Sequence, residues 1–378
     1  MIAALAFGLL TMAPLYSTAF FAEPGVTLGA AVIMLGFAHW QRHLGRGALL
    51  IGAGTAVAIV FRPDSIVLFG PIVPLVLLFH GRRELVASWR RWVPSLAVPI
   101  ALALAWTLAY DTLRYGNPFK LGYSGVYDTR GFSTPVLQGI GVLLWSPGKS
   151  FFVYSPILIA AIPGVVLLAR RRAPLAAVVV AIFVLRVVVY AKWWTPEGGS
   201  AWGPRFLLPL CAVLAIPFGE VLEKLRALRP RSRRVAVGLL GALAATSAVV
   251  QLSSLLVDSK SIYAHLFDVE GIPAPQQLGV LLARVHRTHW TLGGTQVVWN
   301  LRHIGSPDGP SPLYWFTHGP EGFGVAMLVS ALLLCVGAIG VAFVADRLDE
   351  PPASVDRANV HAATPAEPAA MPEQLSTT

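Results

Sequence analysis

Residues 174–192 read PLAAVVVAIFVLRVVVYAK, an apolar run with one charge inside it, at Arg186, and a lysine, Lys192, at its end. At about 1.5 Å of rise per residue the run is long enough, as a helix, to cross a hydrocarbon layer of roughly 30 Å. Its β-branched residues favour strands in water. In lipid, however, every backbone amide must be satisfied within its own segment, so the run reads as a transmembrane helix.

Similar runs cover residues 1–18, 25–41, 47–62, 64–80, 94–111, 151–169, 205–222, 235–252 and 323–345, which predicts about ten spans by the same length criterion. Composition agrees. Of the 378 residues 55% are hydrophobic and 13% charged, about half the charge of an average soluble domain. The formal net charge of +10 does not point to nucleic acid, because the basic residues fall in short clusters between apolar runs. The first run lacks a basic leader and nine more follow it, so it reads as a retained span and not a secretion signal. Cys211 and Cys335 each lie inside an apolar run and are expected as small core residues, with no disulfide framework.

Charge sets the orientation. With the N-terminus cytoplasmic, the inner connections 42–46, 81–93, 170–173 and 223–234 hold 15 Lys and Arg in 34 residues, against 8 in the 128 residues of the outer ones. The positive-inside rule selects this arrangement, with both termini cytoplasmic and the chain in the plasma membrane. The expected fold is therefore an all-α polytopic bundle. Residues 1–252 form its core, 253–322 a small extracytoplasmic cap, 323–345 a final span and 346–378 a disordered cytoplasmic tail rich in Pro, Ala and Glu. Within the long outer segment 112–150, Val136–Trp145 is apolar but too short to span, and is expected as an interfacial or re-entrant helix.

The outer connections carry the candidate chemistry. Glu23, in YSTAFFAEP (16–24), precedes a proline suited to a first helical turn, where an acid also complements the helix dipole. In FRPDS (61–65), Arg62 either binds substrate or snorkels to lipid phosphates, and Asp64 reads equally as a helix N-cap. WWTPEGGSAWGPRFLLP (193–209) brings Glu197, three glycines fit for left-handed turns and Arg205 together at a helix start, a good receptor for a phosphate at headgroup depth. Its tryptophans suit a membrane interface. In WSPGKSFFVYSP (145–156), a Pro-Gly turn is expected to present Lys149 at the membrane surface. Arg186 lies about 9 Å inside its span, where a charge is a functional candidate and snorkelling the ordinary alternative. His286 and His289 in VHRTHW (285–290) lack a third ligand at zinc spacing and read as structural. No nucleotide-binding loop, hydrolase triad or metal motif appears, so no cofactor and no metal are expected.

Taken in order, YSTAFFAEP, FRPD, RYGNPFKLGY (114–123), SPGKSFFVYSP and WWTPEGGSAWGPRFLLP resemble the bacterial membrane glycosyltransferases of the GT-C superfamily. The likeness is to the branch related to protein O-mannosyltransferases, and it covers about residues 1–225. It implies inverting transfer of a sugar from a polyprenyl-phosphate carrier to a glycan, lipid or protein acceptor at the outer face, among membrane lipids and with no nucleic acid. The resemblance makes Glu23 the catalytic base and Arg205 a phosphate ligand, with Lys149 and Arg62 as further matches; Glu197 and Arg186 join them as candidates around the lipid phosphate by their own placement. Such enzymes open with two spans and an acidic first outer loop that precede the YS...E segment. This chain starts after them, so it is a truncation, or Glu23 serves as base, or a partner supplies that loop. A transporter or non-catalytic binding subunit for lipid-linked glycans is the competing class.

Overall fold

The computed structural model describes residues 1–18, 21–40, 42–70, 82–120, 130–258, 260–268 and 274–304. Among these the secondary structure is entirely helical. Five helices are long and apolar enough to cross a membrane, namely Leu44–Phe61, Trp89–Tyr115, Ala173–Ala191, Arg205–Arg226 and Pro230–Leu256. They coincide with the expected runs 47–62, 94–111, 174–192, 205–222 and 235–252 and mark the chain as a membrane protein. The run 323–345 and the tail 346–378 lie outside the described residues.

An eighteen-residue helix, Glu23–Trp40, pairs with Leu44–Phe61 across the short connection that holds Arg42. The two backbones approach so closely that a Cβ on Gly29 would strike the Gly54 carbonyl, and one on Gly54 would strike that of Gly29. Contact of this kind replaces the hydrophobic drive that lipid cannot supply. Trp89–Tyr115 packs on the outer flank of this pair, and Leu102, Trp106 and Leu113 on it stay exposed. Such a face suits lipid and not water.

Two expected spans are not single helices. Residues 1–18 divide into Ile2–Leu10 and Ala13–Thr18. Residues 151–169 divide into Phe151–Tyr154, a 3-10 turn Pro156–Ala160 and Ala161–Arg171. Pro156 explains the second break, since it disfavours helical backbone at Ser155 and removes an amide donor. Of the run 64–80, Ser65–Phe69 is helical and residues 71–80 are not described. A nine-residue helix, Val136–Leu144, occupies the expected short apolar stretch. In the segment expected as a cap, helices span Ser261–Phe267, Ala274–Trp290 and Gln296–Arg302.

The start of Glu23–Trp40, the end of Leu44–Phe61, the end of Ala173–Ala191 and the start of Arg205–Arg226 meet on one side of the bundle, joined by contacts described below. The arginines at 42, 46 and 170–172, with Lys224 and Arg226, lie at the opposite helix ends.

Candidate functional site

Leu44–Phe61 ends at Arg62, whose backbone is extended, with φ −149° and ψ 108°. Pro63 imposes this, because its ring disfavours helical backbone at the residue before it. The turn aims the Arg62 side chain back across the bundle end instead of out to lipid. Its Nη1 donates to Glu23 Oε1 at 2.8 Å, while Nε and Nη2 fork onto the two oxygens of Asp64, each at 3.3 Å. Asp64 precedes the helix Ser65–Phe69 yet makes no side-chain cap to it. Its Oδ2 accepts instead from the Tyr190 hydroxyl at 2.6 Å.

Aromatic rings hold this cluster. Tyr190 and Phe206 stack 4.6 Å apart, and the Arg62 guanidinium lies 4.8 Å from the Phe206 ring centre and 5.5 Å from that of Tyr190. Arg205 sits 5.0 Å from both Phe21 and Phe206, with its Nε 3.7 Å from Glu23 Oε1. Two guanidiniums therefore converge on one carboxylate oxygen. Each gains from the rings as well as from the acid.

Arg186 lies behind the cluster and does not snorkel. It is buried; its Nε donates to the Phe206 carbonyl, its Cζ lies 5.1 Å from the Tyr190 ring, and Nη1 and Nη2 have no hydrogen-bond partner among the described residues.

The loop 193–204 links this cluster to a second one. Gly198, Gly199 and Gly203 adopt positive φ of 90°, 77° and 57°, as their placement in the sequence predicts. The turn brings the Arg205 amide onto the carbonyls of Glu197 and Gly203. Arg205 opens a 3-10 turn, Arg205–Leu207, before the α-helix begins, so its own N–H is not free for an anion. Its contribution rests on the side chain. Trp202 is buried edge-on against Tyr154, whereas Trp193 and Trp194 are half-buried at the outer rim.

Lys149 is not at the surface. Its side chain is fully buried, and Nζ donates to the Ala201 carbonyl at 2.7 Å, to Gln296 Oε1 at 2.8 Å and to the Gly199 carbonyl at 3.3 Å. The Pro-Gly turn faces inward because the Gly148 amide donates to the His289 carbonyl. Burial pulls the Lys149 ammonium down to about 7; the Glu197 charge opposes this and the Arg205 charge adds to it. Glu197 is buried too, with Oε1 3.5 Å from His289 Nε2. Burial alone would raise its pKa, but His289 and Lys149 outweigh that and hold it below the ordinary carboxylate value. Cys211 is buried, as expected of a core residue; Cys335 and the His286 side chain are not described. Among the described residues no group of three or more His, Cys, Asp or Glu is placed to hold a metal.

Between the first cluster and the rim is a cleft of about 180 Å³. Arg62, Asp64 and Arg205 supply its charge, and Phe132, Tyr190, Trp193, Trp194 and Phe206 its aromatic walls. No protein-family model, curated protein or solved structure matches the chain. The structure thus gathers Glu23, Arg62, Arg205 and Arg186 around one pair of stacked rings, and sets Lys149 and Glu197 beside them across the glycine loop. Sequence reading passed over Tyr190, Phe206 and Gln296. Tyr190 carried a signal, since it lies four residues after Arg186 and so shares its helix face. Gln296 carried none.

Proposed function

We propose that the chain is a multi-pass membrane glycosyltransferase that moves a sugar from a polyprenyl-phosphate carrier to a glycan, lipid or protein acceptor, with inversion at the anomeric carbon. The observation that carries this reading is the pair Arg62 and Arg205, which converge on Glu23 and also line an aromatic-walled cleft at one end of the bundle. Two guanidiniums suit a phosphate dianion, and flat aromatic walls suit the apolar faces of a sugar ring.

The chemistry follows from charge. As the bond from C1 to the phosphate breaks, its electron pair stays on the phosphate oxygen. Arg62 and Arg205 stabilise the charge that develops there. The phosphate competes with Glu23 for both cations, so Glu23 acts as a resident counter-ion that keeps them poised while the site is empty. Lys149 and Glu197 act through the loop that sets Arg205, and Arg186 supplies positive charge from beneath the rings.

In this reading about ten spans cross the plasma membrane, residues 1–18 and 151–169 crossing as broken helices. Such breaks are tolerated where protein surrounds them. Both termini are cytoplasmic, the segment from 253 caps the outer face, and the cleft faces outward. This agrees with the basic clusters lying at the helix ends opposite the cleft.

The test is reconstitution of purified protein in vesicles with a panel of radiolabelled polyprenyl-phosphate hexoses and pentoses and a membrane extract as acceptor source. Label should leave the carrier for the acceptor and free the polyprenyl phosphate. Movement of intact carrier between leaflets without transfer would instead establish the transporter class.

A further inference from the structure

Which group takes the acceptor's proton is decided by access to the cleft. Glu23 is aligned with the catalytic acid by resemblance, but its side chain is 3% exposed, its Oε1 is occupied by two guanidiniums and it does not line the cleft. Glu197 is buried against His289 and does not line it either. Among the described residues, Asp64 is the carboxylate that does, with 28% of its side chain exposed.

The bonding of Asp64 fits the role. Among the described residues, Oδ2 accepts from Tyr190 and Arg62, whereas Oδ1 accepts only from Arg62 Nε, at 3.3 Å. A carboxylate oxygen accepts at two lone-pair sites, so Oδ1 keeps one open for an incoming hydroxyl. The fork of Arg62 and the Tyr190 hydroxyl fix the plane of the acid. The same Arg62 that meets the phosphate therefore also orients the acid beside it.

Resting on the proposed function, we infer that Asp64 is the general base of the transfer, held by Tyr190 as a positioning residue. The acceptor oxygen bonds to C1 as the bond from C1 to the phosphate oxygen breaks. The hydroxyl proton passes to Asp64 Oδ1 and the departing pair to the phosphate.

Azide distinguishes this role from a structural one, because it attacks C1 without losing a proton. With the donor panel described above, wild type transfers to hydroxyl acceptors. Asp64→Ala should lose that transfer by about 10²-fold to 10⁴-fold, the usual scale for a general base, yet yield glycosyl azide of inverted configuration when sodium azide is added. Asp64→Asn, nearly isosteric, repeats the test in a protein whose fold is monitored by polyprenyl phosphate binding. Glu23→Gln, which loosens both arginines, should slow transfer to hydroxyl and azide alike. If azide fails to restore turnover in both Asp64 variants, the acid only positions Arg62 and the assignment falls. Hydroxyl transfer at wild-type rate in either variant overturns it as well. Wild type inert toward every donor would overturn the proposed function itself, and the assignment with it.

Discussion

Arg62 Nη1 and Glu23 Oε1 lie 2.8 Å apart although 39 positions separate the residues in sequence. The ion pair closes the open end of the Glu23–Trp40 and Leu44–Phe61 pair, while tight glycine packing closes its middle. It is thus a structural clasp and, on the proposed function, the point from which an anion draws its cation.

The clasp should be measurable as stability. Glu23→Ala removes one of the two carboxylates that Arg62, only 17% exposed, is paired with, and leaves it Asp64. Removing one member of a fully buried pair costs about 3–5 kcal/mol; allowing for the remaining Asp64 pair and the solvent that reaches Arg62, about 1–2 kcal/mol is expected here. Thermal unfolding of detergent-solubilised protein should show a lower midpoint for Glu23→Ala, with Glu23→Gln between it and wild type. Equal midpoints for all three would rule out a structural role.

Arg205 should govern affinity for the carrier. Losing a charged hydrogen bond in a partly dehydrated site costs about 1.5–3 kcal/mol, so Arg205→Ala should weaken binding of a short polyprenyl phosphate by roughly ten- to more than hundredfold. Arg205→Lys restores charge without the planar fork and should fall between. The uncharged polyprenol serves as control, and its binding should not distinguish the three proteins.

Lys149 should make stability depend on pH. Its folded value, about 7, lies below its ordinary 10.5, so between these limits the unfolded chain holds the extra proton. Stability then rises with pH across that window and is insensitive to this group below it. Lys149→Met should be less stable overall, because the Ala201 carbonyl and Gln296 lose a donor, and should lack this increment. Unfolding midpoints of the two proteins from pH 6 to 9 should diverge progressively above neutrality; a constant gap between them refutes the titration.

The orientation has a direct check. In a cysteine-free background, Ser200→Cys should react with a membrane-impermeant maleimide in intact cells, and Ser232→Cys only after permeabilisation. Reaction of Ser232→Cys alone would invert the topology.

Continuous apolar runs made the helical membrane class legible, because hydropathy over some eighteen residues depends on nothing beyond the run itself. The five long helices and the positive φ of Gly198, Gly199 and Gly203 follow from such local rules. The break within 151–169 was written locally too, in Pro156, but averaging hydropathy along a run conceals it. The site was legible in part. Glu23, Arg62 and Arg205 stand out as charges at helix ends, yet the role of Asp64 depends on Tyr190, 126 positions away. The burial of Lys149 was not legible at all, since a Pro-Gly turn is ordinarily exposed and nothing in the turn announces Gln296.

That dependence on Gln296 bears on how the protein is made. As the chain emerges, residue 149 enters the membrane region 147 positions before its side-chain acceptor has been synthesised, and the Gly148 amide waits almost as long for His289. Asn300 then donates to the carbonyls of Ser253 and Val257, fastening the late segment beneath the loop it completes. Until residue 296 arrives, the Gly199 and Ala201 carbonyls are the acceptors that the Lys149 ammonium can find, and its buried set is one short. Docking of the segment around residue 296 therefore follows insertion of the helices that flank Lys149, and a nascent chain halted before it holds a buried cation that lacks its side-chain acceptor.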